Sequence, residues 1–221
     1  MPRTLVVGSN RGIGFQLAKQ LREDHGHEVI ATCRKVSPEL RALDVEVVED
    51  IDVTSDEAVA RLDQTLGDRR VSGIWVVAGL LDRTPLDDLE WTAIRAQMEV
   101  NAFGPLRVVA KLHPRLVDGG RIALLTSRMG SIADNGSGGF YGYRMSKAAL
   151  NAAGVSLARD LAGRRIAVGL FHPGFVRTAM TGGNGNLDPD ESARMLLDRY
   201  AELDMETSGR FWHADGEELP W

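Results

Sequence analysis

The chain has 221 residues, 43% of them hydrophobic and 26% charged, which is enough apolar material for a substantial core and suits one α/β domain. A formal charge of -5, with no run of lysines or arginines, argues against a nucleic-acid footprint, and no apolar stretch is long enough to span a bilayer. The single cysteine, Cys33, leaves no internal disulfide and no multi-cysteine metal site, so no metal is expected. Met1-Pro2-Arg3-Thr4 runs directly into an apolar segment and leaves no room for a signal peptide, so a soluble, cytoplasmic protein is expected.

In chain order, residues 4–8, 28–33, 45–48, 73–78, 121–126 and 166–171 are short apolar, β-branched runs that predict strands. Between them, residues 14–24, 55–66, 86–117 and 146–161 carry apolar side chains at helical spacing with charges on the other face, and predict helices. Runs apolar at nearly every position suit parallel strands covered on both faces. The β-α-β rhythm therefore predicts a doubly wound parallel sheet of Rossmann type, one α/β domain spanning 1–221. After the last run, Thr181-Gly182-Gly183-Asn184-Gly185-Asn186 is too glycine-rich to hold a conformation by itself and reads as a lid or a plain connection. A helix is predicted near 190–203, so 180–205 forms a substrate-side loop and helix.

Gly8-Ser9-Asn10-Arg11-Gly12-Ile13-Gly14 stands between the first strand and the first helix. A helix start offers unpaired N–H groups and the positive end of its dipole, and glycines let a phosphate approach them. Gly8, Asn10, Arg11, Gly12, Ile13 and Gly14 are therefore candidate dinucleotide ligands, although the spacing G-x-x-x-G-x-G differs from the usual fingerprint. An acidic residue ending the second strand would favour NAD. Here Thr32-Cys33-Arg34-Lys35 places Arg34 at that position, and together with Arg11 it points to the 2′-phosphate of NADP, with NADPH preferred over NADH.

Tyr143 and Lys147 are four residues apart on one predicted helix face. A phenol with its ordinary pKa near 10 is a poor acid or base at neutral pH, and a neighbouring ammonium would lower it, making Tyr143 a proton-transfer residue for carbonyl/alcohol chemistry. His172 and Cys33 are given no catalytic role, His172 because a packed histidine at a strand end is the stronger reading and Cys33 because no base is near it in sequence.

With these residues in place the whole chain resembles the short-chain dehydrogenase/reductase family. Gly8-x-x-x-Gly12-x-Gly14, Asn101 in Val100-Asn101-Ala102-Phe103-Gly104, Thr126-Ser127, Tyr143-x-x-x-Lys147 and Pro173-Gly174 fall in the family's order. Thr126-Ser127-Arg128-Met129-Gly130-Ser131, the Tyr143–Asn151 segment and the ending Ser208-Gly209-Arg210-Phe211 to Leu219-Pro220-Trp221 resemble its C-factor and sniffer-type carbonyl reductase branch. The resemblance implies that Tyr143 exchanges a proton with the substrate oxygen, that Lys147 lowers its pKa and holds the nicotinamide ribose, and that Ser127 orients the oxygen. It implies that Asn101 steadies a water chain from Lys147 to solvent and that Asp52 and Val53 contact the adenine. Ala78, Gly79, Pro173, Gly174, Val176 and Thr178 are assigned to the cofactor by the same carry-over. A homodimer or homotetramer is also implied, packed through the 86–117 and 146–161 helices.

Val76-Val77-Ala78-Gly79 replaces the family's Asn-Asn-Ala-Gly, and Asn135-Gly136-Ser137-Gly138-Gly139 adds residues before Tyr143. Ser131 is therefore an alternative to Ser127, which is preferred because it leaves the strand end directly. The competing functional classes are a cofactor-binding sensor or signalling protein of the same fold, and an epimerase or dehydratase that uses the cofactor transiently.

Overall fold

The computed structural model describes residues 1–83 and 85–221. Seven strands, β1 (Arg3–Val7), β2 (Glu28–Thr32), β3 (Glu46–Val48), β4 (Val71–Val76), β5 (Leu116–Leu125), β6 (Ala167–His172) and β7 (Phe211–His213), form one parallel sheet in the order β3-β2-β1-β4-β5-β6-β7. The chain winds outward from β1 in both directions. The order reverses between β1 and β4, where Val7 is level with both Thr32 and Val76, and a crevice opens beyond their carboxyl ends.

Strand alternation divides the core. Leu5, Val7, Ile30, Ile74, Ile122 and Leu170 face one side, against Val59 and Leu62 of α3 (Asp56–Leu66) and Val108 and Leu112 of α5 (Gly104–Leu112). Val6, Ala31, Trp75, Ala123 and Phe171 face the other, against Leu17 and Leu21 of α1 (Gly12–Glu23) and Leu196 and Leu197 of α7 (Pro189–Glu202). Each fully buried Val, Leu, Ile or Phe side chain among these contributes about 1.5–3 kcal/mol.

The doubly wound sheet matches the sequence expectation, and the differences are local. The helix expected over 86–117 runs as α4 (Trp91–Met98), a π-helical segment Glu99–Phe103 and then α5. Pro105 has no N–H to give the carbonyl four residues back, so the bonding register widens around Asn101. His113-Pro114 then ends the helix, and β5 starts at Leu116, five residues before the expected strand. The helix expected from 146 begins at Tyr141, as α6 (Tyr141–Asp160). A short helix, α2 (Pro38–Arg41), and β7 were not anticipated. Among the described residues no helix is long and apolar enough to cross a membrane.

Candidate active site

A cleft of about 890 Å³ occupies the crevice at the switch point, with α1 starting in its wall. Arg11 at the helix cap is extended, and no side chain caps the helix, so its first N–H groups are free to meet an anion. Gly14 lies in the first turn, where an added Cβ would stand 2.1 Å from the Gly8 carbonyl oxygen. Gly14→Ala is therefore expected to cost about 1–3 kcal/mol and to lower the melting temperature by several degrees. An unchanged melting curve would show that the loop has room this structure does not.

Gly8, Asn10, Arg11, Gly12, Ile13 and Gly14 all line the cleft. Asn10 does so as a brace: its Oδ1 accepts from Ser37 N at 2.7 Å and its carbonyl from Ser37 Oγ at 3.1 Å, tying the loop to the turn that carries Arg34 and Lys35. Arg34 and Lys35 are exposed at the rim. Among the described residues Arg11, Arg34 and Lys35 form neither ion pair nor side-chain hydrogen bond, whereas Arg177, also at the cleft, is held by Asp188 at 2.7 Å.

Asp52 and Val53 line the same end. Burial raises the Asp52 pKa, but the Thr54 N–H and hydroxyl, at 2.9 and 2.8 Å, and the charges of Arg34 and Arg107 outweigh it and hold the carboxyl below its ordinary value. Ala78, Gly79, Pro173 and Thr178 line the cleft with Tyr143 and Lys147. Gly174 and Val176 do not line the cleft; Val176 is buried and bridges to Leu187, so these residues shape the loop behind it. That loop is held rather than free: Gly183 N donates to the Thr178 carbonyl at 2.8 Å and Asn186 N to the Phe175 carbonyl at 2.7 Å.

Tyr143 is buried in the first turns of α6. Burial pushes its phenol pKa up and Ser127 draws it back. This corrects the expectation that Lys147 would lower it. Burial holds Lys147 itself down to about 7, and its Nζ, 5.8 Å from the phenol ring centre, donates to the Leu125 carbonyl at 2.8 Å. A lysine that titrates near neutrality carries only part of a charge to offer the phenol.

Ser127, buried at the start of the loop after β5, does not itself line the cleft but lies beside Tyr143, its Oγ accepting from Met129 N at 3.2 Å, while the Ser131 hydroxyl is engaged by Asp134 N at 3.0 Å. The Asn101 side chain is engaged by the loop after β4 and by α6. Its Oδ1 accepts from Leu80 N and its Nδ2 donates to the Leu80 carbonyl, both at 2.7 Å, and Nδ2 reaches Ser146 Oγ at 2.9 Å. Ser146 in turn donates to the Tyr143 carbonyl at 2.8 Å. Asn101 is thus a strut between the loop after β4 and the turn carrying Tyr143, and makes no hydrogen bond to Lys147 among the described residues.

Lys35 and Arg177 also line the cleft and were not singled out from the sequence; only Lys35, next to Arg34, had a local signal. His172, half-buried at the end of β6, has its ring 4.9 Å from His213 and its Nδ1 without a partner among the described residues. Burial, reinforced by His213 and Arg128, holds its pKa down to about 3. The folded protein keeps this imidazole neutral while the unfolded chain protonates it below its ordinary value of 6.5, so its contribution to stability is lost as pH falls from 6.5 toward 3. His172→Asn is expected to flatten the acid dependence of the urea midpoint between about pH 7 and about pH 4. Parallel curves for the two proteins would remove His172 from the acid response.

A family model described as enoyl-(acyl carrier protein) reductase matches residues 7–203. The 1-hydroxy-2-glutathionyl-2-methyl-3-butene dehydrogenase of Rhodococcus sp. (strain AD45) is 38% identical over 227 residues, covering all of both chains. The chain belongs to the short-chain dehydrogenase/reductase family. Two solved structures are similar over its whole length. The carbonyl reductase Sniffer of D. melanogaster has a TM-score of 0.90 at 27% identity and is itself fully covered. A short-chain dehydrogenase/reductase from Burkholderia multivorans with bound NADP has a TM-score of 0.89 at 30% identity, with 99% of that chain covered. As a short-chain dehydrogenase/reductase the protein is an oxidoreductase, and the likeness to Sniffer agrees with the branch expected from the sequence.

Proposed function

We propose that this protein is an NADP(H)-dependent oxidoreductase that interconverts a small carbonyl compound and its alcohol, with Tyr143 as the proton-transfer residue and NADPH preferred over NADH. One observation carries the reading. A single cleft joins an uncapped helix start ringed by the unpaired cations Arg11, Arg34 and Lys35 to a buried phenol with Lys147 on the same helix face. The α1 N–H groups and the glycine loop fit a pyrophosphate, and Arg11 and Arg34 fit a 2′-phosphate. Asp52 and Val53 would meet the adenine side, and Ala78, Gly79, Pro173 and Thr178 the nicotinamide side. The bound nicotinamide supplies or accepts the hydride.

The chain's own residues handle the proton. With its pKa raised, the Tyr143 phenol stays protonated at neutral pH, the form that donates to a carbonyl oxygen as negative charge develops on it. Ser127 hydrogen-bonds the same oxygen, and Lys147, titrating near 7, is the adjacent group that restores the proton. Leu80 and Met180 give the mouth an apolar lining. The Rhodococcus relative's name, a dehydrogenase of a hydroxy compound, accords with this chemistry, and the NADP in the Burkholderia structure accords with the cofactor.

The test is NADPH consumption with a panel of aldehydes, ketones and diketones, repeated with NADH. Turnover that is slower with NADH is the expected result. Tight NADPH binding with no turnover on any substrate would favour a sensor, and failure to bind NADPH would sink the proposal.

A further inference from the structure

Ser127 opens a loop that is gripped from two sides. On the inner side Arg144 of α6 donates to the Met129 carbonyl at 3.3 Å, and Gly130 lies so close to α6 that an added Cβ would stand 2.8 Å from the Lys147 backbone. On the outer side the loop is held by segment 217–221. Arg128, the residue after Ser127, pairs with Asp134 at 2.6 Å and with Glu217 at 2.9 Å. Ala133 N donates to the Trp221 carbonyl at 2.8 Å.

The outer grip is itself anchored. The Trp221 ring stacks on Phe211 of β7 at 5.6 Å, and Phe211 is fully buried. Leu219, buried in the core, donates its N–H to the Phe211 carbonyl at 2.8 Å, and His213 N donates to the Glu217 carbonyl at 2.8 Å. Neither Glu217 nor Trp221 lines the cleft, and the Arg128–Glu217 pair is too exposed to matter much for stability by itself. The arrangement instead links the edge strand of the sheet to the loop that carries Ser127 at two points, Arg128 and Ala133.

We infer that segment 217–221, through Glu217 and Trp221, is a positioning element for the Ser127 hydroxyl. The inference rests on the carbonyl/alcohol reading of Ser127 and Tyr143. A hydrogen bond to a reacting oxygen is effective only over a narrow range of distance and angle, so slack in the loop lowers turnover without touching the cofactor end of the cleft. It follows that Glu217 and Trp221 act on the reaction only through Ser127.

The experiment compares Glu217→Gln/Trp221→Ala with wild type and repeats both substitutions in a Ser127→Ala background. In the wild-type background kcat is expected to fall about tenfold, with NADPH affinity unchanged. In the Ser127→Ala background the same substitutions are expected to cost nothing further. The alkaline limb of the pH–rate profile should also move upward, as in Ser127→Ala, because the phenol loses the hydrogen bond that draws its pKa down. Unchanged kcat, a loss that multiplies with that of Ser127→Ala, or an unmoved pH profile would overturn the inference. Should the double variant fail to fold, Glu217→Gln alone carries the same comparison. If Ser127→Ala itself leaves turnover intact, the reading of Ser127 fails and the inference with it; if only the 217–221 variant is silent, the inference alone fails.

Discussion

Tyr143→Phe is expected to lower turnover by about 10²–10⁴-fold while leaving NADPH affinity and the melting temperature close to wild type. The substitution removes one oxygen and keeps the ring, so the buried packing at the start of α6 survives. The lost hydroxyl is buried, beside Ser127 and protonated at neutral pH. Steady-state rates with any substrate that emerges from the carbonyl panel, together with NADPH binding followed by fluorescence, provide the check. Turnover unchanged in Tyr143→Phe would sink the proposed mechanism. A parallel collapse of NADPH binding would instead place the phenol in cofactor binding.

How this phenol is tuned shows what sequence could and could not supply. Four-residue spacing put Tyr143 and Lys147 on one helix face, and the loop from Gly8 to Gly14 could be assigned to a strand-to-helix turn, because both are local facts of chain geometry. The expected electrostatic effect depended on where Lys147 Nζ points, and that is set by the Leu125 carbonyl at the end of β5, twenty-two residues away in the chain. Asn101 is a similar case. Its place in the motif was legible, but its partners Leu80 and Ser146 come from two other segments and make it a strut. Arg177 and Met180 line the cleft from a segment onto which the glycine-rich tract folds back, Gly183 onto Thr178 and Asn186 onto Phe175, a local fold that helical or strand periodicity does not encode. Phe140, which precedes α6 with a φ of 53°, gives no hint of where that helix starts, since a bulky residue rarely takes that conformation. β7 is three residues long like β3, but Phe211-Trp212-His213 lacks the β-branched run that made β3 readable.

Arg34→Gln is expected to weaken NADPH binding by about 10–100-fold while changing NADH affinity by no more than about twofold, with Arg11→Gln doing the same to a smaller extent. Arg34 and Arg11 have no carboxylate partner of their own, so no folded-state ion pair competes with a phosphate for them. Asp52, whose carboxyl feels the charge of Arg34, is occupied by the Thr54 N–H and hydroxyl. A 2′-phosphate would therefore gain charge-assisted bonds that a ribose hydroxyl cannot match, and the gain should shrink with salt because both guanidinium groups lie at the exposed rim. Titrations of both cofactors at low and high ionic strength give the four affinities needed. Equal losses for NADPH and NADH would mean that Arg34 supports the loop itself. No loss for either would leave both arginines as solvated surface charges, and the preference for NADPH would have to come from Lys35 or be abandoned.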